Sequence, residues 1–252
     1  MSEPLLAASG LVKRYGGLLA IDDLSIDVRQ GETHALIGPN GAGKTTLIGQ
    51  LTGESRPDAG RVWFDGRDIT AMPAFRRARL GLARSFQITS IFPMLTVLDN
   101  VALAVQVHAG HSFGFWRSAR NDGRLRAPAR QALRQVDLDG RADTVAGHLS
   151  HGEHRQLEIA IAIATEPRML LLDEPMAGMA PEEGRRLVAL LGQLKGSLAM
   201  LLVEHDMEAV YALADRISVM VYGRIIASGD ADSIRGDAEV RRAYLGDRDR
   251  RP

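Results

Sequence analysis

Between Gly38 and Thr45 the chain reads Gly38-Pro39-Asn40-Gly41-Ala42-Gly43-Lys44-Thr45, with Thr46 following. The spacing G-x-x-x-x-G-K-S/T suits the enclosure of a polyphosphate. Phosphate oxygens need several converging N–H donors, and glycine allows both the close backbone approach and the unusual φ values this requires. Lys44 offers a cation to the β- and γ-phosphates, and the Thr45 hydroxyl offers a ligand to Mg2+. A helix opening at Lys44 adds its N-terminal N–H groups and positive end. Farther on, Met169-Leu170-Leu171-Leu172-Asp173-Glu174 is an apolar run that delivers two carboxylates. Asp173 would position Mg2+ through its water shell, and Glu174 would orient or deprotonate an attacking water. Alone, Asp-Glu-Pro is an ordinary strand stop; beside a phosphate cradle it makes a site for nucleotide hydrolysis. Three single residues join it by their order in the chain. Gln87 offers a carbonyl oxygen to Mg2+ and water, His205 follows an apolar strand that would aim it at a γ-phosphate, and Tyr15 offers a face for adenine.

These groups need a sheet to hold them. Thr33 to Gly38 is a short apolar run entering the glycine-rich loop, and Lys44 to Leu51 has helical spacing, so strand, loop and helix follow in order. Met169–Leu172 and Leu198–Val203 read as buried strands, with helices over Glu182–Leu194 and Asp206–Ala214. Before the loop, Leu11, Val12, Tyr15, Leu24, Ile26 and Val28 alternate with polar residues, as antiparallel strands with one buried face do. Arg61–Phe64 and Leu80–Gln87 read as further strands. From Thr96 to Thr165 the spacing turns helical, at Val97–Ala104, Ala129–Val136 and Glu153–Ala164, around an irregular excursion over Ala109–Arg126. Ile217–Val221 and Arg224–Ala227 form a hairpin at Tyr222-Gly223, and a last helix ends near Leu245. The pattern predicts an α/β core interrupted by a mostly helical insert.

Composition narrows the function. Hydrophobic residues make up 45% and charged residues 25% of 252, a globular balance that excludes disorder and fibrous classes. Lys+Arg and Asp+Glu stand at 31 each, so no basic excess supports unspecific binding to nucleic acid or anionic lipid. The absence of cysteine removes thiol nucleophiles and Cys-ligated zinc. No targeting or membrane segment is expected, since Met1-Ser2-Glu3-Pro4 puts an acid where a signal peptide needs positive charge. The longest run free of formal charge, Asn100–Trp116, is too polar to span a bilayer.

The string Leu149-Ser150-His151-Gly152-Glu153, ahead of a helix, resembles the signature motif of ATP-binding cassette (ABC) ATPases. Tyr15, Gly38–Thr45, Gln87, Ser150–Glu153, Asp173–Glu174 and His205 follow that family's order over essentially the whole chain. The resemblance implies a P-loop NTPase core with an antiparallel β subdomain (together 1–88 and 166–252) and an inserted helical subdomain (89–165). It also implies a dimer closing around two ATP molecules, with Ser150, Gly152 and Glu153 of one subunit facing the ATP held by the other. Transmembrane permease subunits would be the coupled partners, with an extracytoplasmic solute-binding protein acting indirectly and no nucleic acid. The protein would then sit at the cytoplasmic face of the cell membrane. Ala83-Arg84-Ser85-Phe86-Gln87, Gln156–Ala160, Val203–Met207 and Ala243–Gly246 look like the cassettes of branched-chain amino acid uptake, close relatives of those for urea and short-chain amides. Two positions depart from the family pattern: His151 replaces a common Gly, and Ala180 stands where an Asp or Asn is usual. Cassettes of DNA repair or translation would bring a heptad insert, a second cassette or a basic face, and none is expected here.

Overall fold

A computed structural model describes residues 3–85, 91–108 and 122–245. Two sheets carry the chain. The first is antiparallel and four-stranded in the order β2-β1-β4-β5, from β1 (Leu6–Tyr15), β2 (Leu18–Val28), β4 (Ala59–Phe64) and the short β5 (Arg67–Asp68). The second is six-stranded in the order β10-β9-β3-β8-β7-β6, from β3 (Thr33–Ile37), β6 (Leu82–Ser85), β7 (Met169–Asp173), β8 (Ala199–Val203), β9 (Arg216–Val221) and β10 (Arg224–Gly229). All its pairings are parallel except β9–β10. This is the α/β architecture expected from the apolar runs. Every residue of β3, β7 and β8 is buried, as strands covered on both faces must be.

Alternation along these strands divides the core. Leu170, Leu172, Met200 and Leu202 pack against α3 (Val97–His108), α4 (Gly123–Gln135), α5 (His151–Ile163) and α6 (Pro181–Leu194). Met169, Leu171, Leu201 and Val203 face α1 (Lys44–Thr52) and the antiparallel sheet. A third cluster joins Ala35 and Ile37 to α7 (Met207–Leu213), α8 (Ala231–Gly236) and α9 (Ala238–Leu245). Among the described residues no helix is long and apolar enough to cross a membrane.

Some details differ from the expected elements. Helix α4 starts at Gly123, inside the segment expected to be irregular, because the Asp122 side chain accepts the Arg124 N–H at 3.0 Å and caps it. It runs through Pro128, which forfeits one backbone hydrogen bond. A short basic helix, α2 (Ala74–Arg79), was not expected at all. Residues 109–121 of the expected excursion lie outside the described residues.

Candidate functional site

Parallel pairing sets the site. Leu36 and Asp173 both pair in register with Val203, so the C-terminal ends of β3, β7 and β8 lie side by side. That edge is where parallel α/β sheets bind ligands. The chain leaves β3 through Gly38–Gly43 and enters α1 at Lys44 with Gly43 at φ 106°. A Cβ on Gly43 would lie 2.5 Å from the Ala20 carbonyl oxygen, and one on Gly38 would lie 2.1 Å from that of Met220. Glycine at both positions is therefore a packing requirement. The Gly223 N–H of the β9–β10 turn donates to the Ala42 carbonyl at 2.9 Å and braces the loop from outside. Asn40, Gly41 and Thr45 are exposed, Pro39 and Thr46 half-buried, and Ala42 is buried.

Lys44 is buried, and its Nζ donates to the Gly38 and Pro39 carbonyls at 2.7 and 3.1 Å. Burial lowers its pKa, opposed by the fields of Glu174 and Asp173, so the three groups share one electrostatic neighbourhood. Burial raises the pKa of Asp173, against the Arg84 guanidinium 3.0 Å away. Glu174 is half-buried and donates its N–H to the Val203 carbonyl at 2.9 Å, and its φ of 48° turns the chain out of the sheet. Thr45 and Asp173 are oxygen donors. Among the described residues no cluster of three His, Asp or Glu could hold a metal alone. This donor set fits a hard cation such as Mg2+ that takes most of its ligands from phosphate and water.

His205 follows β8 with its side chain 66% exposed. Its position is fixed by Glu204, a wholly buried carboxylate that accepts the N–H groups of His205 at 3.0 Å and Met176 at 3.0 Å. One carboxylate thus ties the turn carrying His205 to the loop carrying Glu174. Glu204 had no role in the sequence reading; its place between an apolar strand and a helix cap was the available signal. Tyr15 ends β1 and is 51% exposed, with Lys13 Nζ 5.5 Å from the ring centroid. Gln87 lies outside the described residues.

The signature string opens α5. Ser150 is its N-cap: its hydroxyl accepts the Glu153 N–H at 3.2 Å, and Glu153 accepts the Ser150 N–H at 2.8 Å. This reciprocal box sets the first turn at His151, two residues before the expected start. Glu153 also pairs with Arg141 at 3.1 Å, so its carboxylate is engaged in holding the helix terminus. His151 Nε2 lies 3.3 Å from the Ala177 carbonyl oxygen, which joins the signature to the loop after Glu174. Gly152 is buried; a Cβ there would come within 2.7 Å of the Glu183 carboxylate. Ala180, at the N-cap of α6, donates its N–H to Glu183 at 3.2 Å.

A family model described as ABC transporter matches residues 21–177, and one described as branched-chain amino acid ATP-binding cassette transporter matches residues 224–250. The high-affinity branched-chain amino acid transport ATP-binding protein LivG of Salmonella typhimurium is 39% identical over 256 residues, covering 98% of this chain and all (100%) of that protein. The corresponding protein BraF of Pseudomonas aeruginosa is 38% identical over 254 residues, with 98% and 100% covered. A crystal structure of the ADP conformation of an ATP-binding cassette of an ABC transporter is similar at TM-score 0.85 and 31% identity, covering 97% of this chain and 100% of that one.

Proposed function

Since this chain belongs to the ATP-binding cassette transporter family, we propose that it is the ATPase subunit powering uptake of branched-chain amino acids, or a similar small polar solute, through partner permeases. The observation that carries this reading is the meeting of Lys44, Asp173 and Glu174 at one edge of the parallel sheet. The names of the relatives support the solute class.

ATP lies with its phosphates in the loop Gly38–Thr46, their oxygens accepting from loop N–H groups and from the N-terminus of α1. Lys44 then exchanges its two carbonyl partners for β- and γ-phosphate oxygens, and Tyr15 stacks on adenine. Thr45, Gln87 and, through the ion's water shell, Asp173 would hold Mg2+, which would neutralise charge on the phosphates when bound. Glu174 accepts a proton from water as the water oxygen bonds to the γ-phosphorus and the bond to the β-phosphate oxygen breaks, giving ADP and phosphate. His205 donates to the γ-phosphate. Ser150 and Gly152 at the start of α5 serve the ATP of a second cassette, identical or different, with Glu153 holding that helix end in shape.

On this reading residues 89–165 act as the helical subdomain, and the protein works at the cytoplasmic face of the membrane through its permeases. A solute-binding protein outside the membrane selects the solute. Glu174→Gln tests the chemistry: ATP binding persists while turnover falls by about 10²-fold or more. Hydrolysis near the wild-type rate would remove Glu174 as the base. Leucine uptake by vesicles holding the cognate permeases, absent with urea, tests the solute.

A further inference from the structure

We propose that Arg84 is a positioning residue of the nucleotide site, bracketing Asp173 from strand β6 and setting how strongly Mg2+ and ATP bind together. The proposal rests on the reading of Asp173 as the carboxylate that serves Mg2+. Arg84 pairs in register with Leu171, and its side chain reaches along the sheet to Asp173, where Nη2 donates to Oδ2 at 3.0 Å. Nη1 donates to Glu54, which follows α1 by two residues. One guanidinium therefore joins three separate parts of the site: the edge strand leading to Gln87, the end of the strand carrying Asp173, and the far end of the helix that begins at Lys44. Only 10% of its side chain is exposed, and only 1% of that of Asp173. Its Nε is buried with no hydrogen-bond partner among the described residues. The fork is thus held toward the two carboxylates while one of its own donors goes unused.

The charges explain why the bracket matters. Lys44 lies in the field of both Asp173 and Glu174. Lys44 has to give its charge to phosphate, and a carboxylate free to swing would compete for it. Arg84 takes one oxygen of Asp173 with one arm and Glu54 with the other, and so fixes the Asp173 rotamer. A lysine at this position could engage one acid but could not span both, because spanning needs the planar fork.

The test uses the full chain as wild type, Arg84→Ala, Arg84→Lys and Glu54→Gln. Binding of the β,γ-imido analogue of ATP is measured by calorimetry with Mg2+ and with a chelator, beside thermal unfolding. The readout is the factor by which Mg2+ strengthens nucleotide binding. Arg84→Ala should reduce this factor about tenfold, the scale of one charge-assisted hydrogen bond. Glu54→Gln should reduce it less, and Arg84→Lys should recover part of the loss. A folded Arg84→Ala chain with the wild-type factor overturns the proposal, whatever happens to its melting temperature, since a purely structural arginine would shift melting alone. If Arg84→Ala does not fold, an unchanged factor in both Glu54→Gln and Arg84→Lys overturns it equally. A wild-type chain whose nucleotide affinity ignores Mg2+ removes the Asp173 assignment itself, a failure distinct from that of Arg84.

Discussion

Replacing Arg77 by methionine tests how the helix behind the phosphate loop is anchored at its far end. Arg77 is 1% exposed, and its guanidinium donates to the carbonyls of Leu51 at 2.7 Å, Gln50 at 2.8 Å, Met72 at 2.9 Å and Thr70 at 3.0 Å. Gln50 and Leu51 belong to the last turn of α1, where carbonyls lack partners within the helix. The cation also faces the negative end of that helix's dipole. Methionine keeps most of the volume and donates nothing, and each buried carbonyl left unpaired costs about 1–3 kcal/mol. Removing the cation returns part of its desolvation cost, which is visible as a guanidinium pKa pushed down to about 10. The net loss expected is about 3–5 kcal/mol, the cost of a few unpaired buried carbonyls less the desolvation returned. At about 2–4 °C per kcal/mol for a chain of this size, the melting temperature should drop by roughly 6–20 °C. Thermal unfolding followed by circular dichroism measures it. Arg77→Lys should recover only part, since an ammonium reaches fewer carbonyls than the fork. A melting temperature for Arg77→Met within about 2 °C of wild type would refute the anchoring argument.

Two further outcomes are expected. Buried His34 donates through Nδ1 to the Asp27 carbonyl at 2.9 Å, and burial, helped by Arg216, pushes its pKa from 6.5 down to about 4 against the fields of Glu32 and Asp27. The unfolded chain thus binds the extra proton first, so stability falls as pH drops from about 6.5 to about 4, by about 3 kcal/mol in all. His34→Gln should flatten the urea midpoint against pH in that window, and parallel wild-type and variant curves would contradict the assignment. Separately, Lys44→Ala and Ser150→Arg should each be inactive alone, the first through lost nucleotide binding and the second through a blocked dimer face. Their mixture should regain ATPase activity through one intact composite site. Silence at every ratio, with ATP-driven dimers of Glu174→Gln seen by light scattering, would rule out the shared site.

What could be read before folding was the chemistry that is local in sequence. Gly38–Thr45, Asp173–Glu174 and the apolar strands feeding them announce themselves because a loop, a helix start and a buried strand each need their residues consecutively. The start of α5 was equally available, since Ser150 and Glu153 at a spacing of three are a capping pair. Arg77 and Arg84 were not legible. Arg77 looks like one more surface arginine of a basic run and Arg84 like a lone charge on an edge strand, and their partners Gln50, Leu51, Glu54 and Asp173 lie far away in sequence. Helix α2 was missed for the same reason, since it is short and basic and is held by the burial of Arg77 rather than by an apolar stripe. Glu174 at φ 48° is a backbone feature that residue type does not disclose.

The clasp between Gly223 and Ala42 bears on how this chain could be rearranged. Tyr222 is 81% exposed at the tip of a tight hairpin, the kind of place where new termini are ordinarily tolerated in a circular permutant. Here the same turn supplies a donor to the phosphate loop, and the Met220 carbonyl forms the wall against which Gly38 packs. Opening the chain at Tyr222–Gly223 would leave every residue of the glycine-rich sequence in place and release its clamp. The eight residues from Gly38 to Thr45 are therefore not a portable part: a transplant would have to bring along a hairpin that lies almost 180 positions downstream.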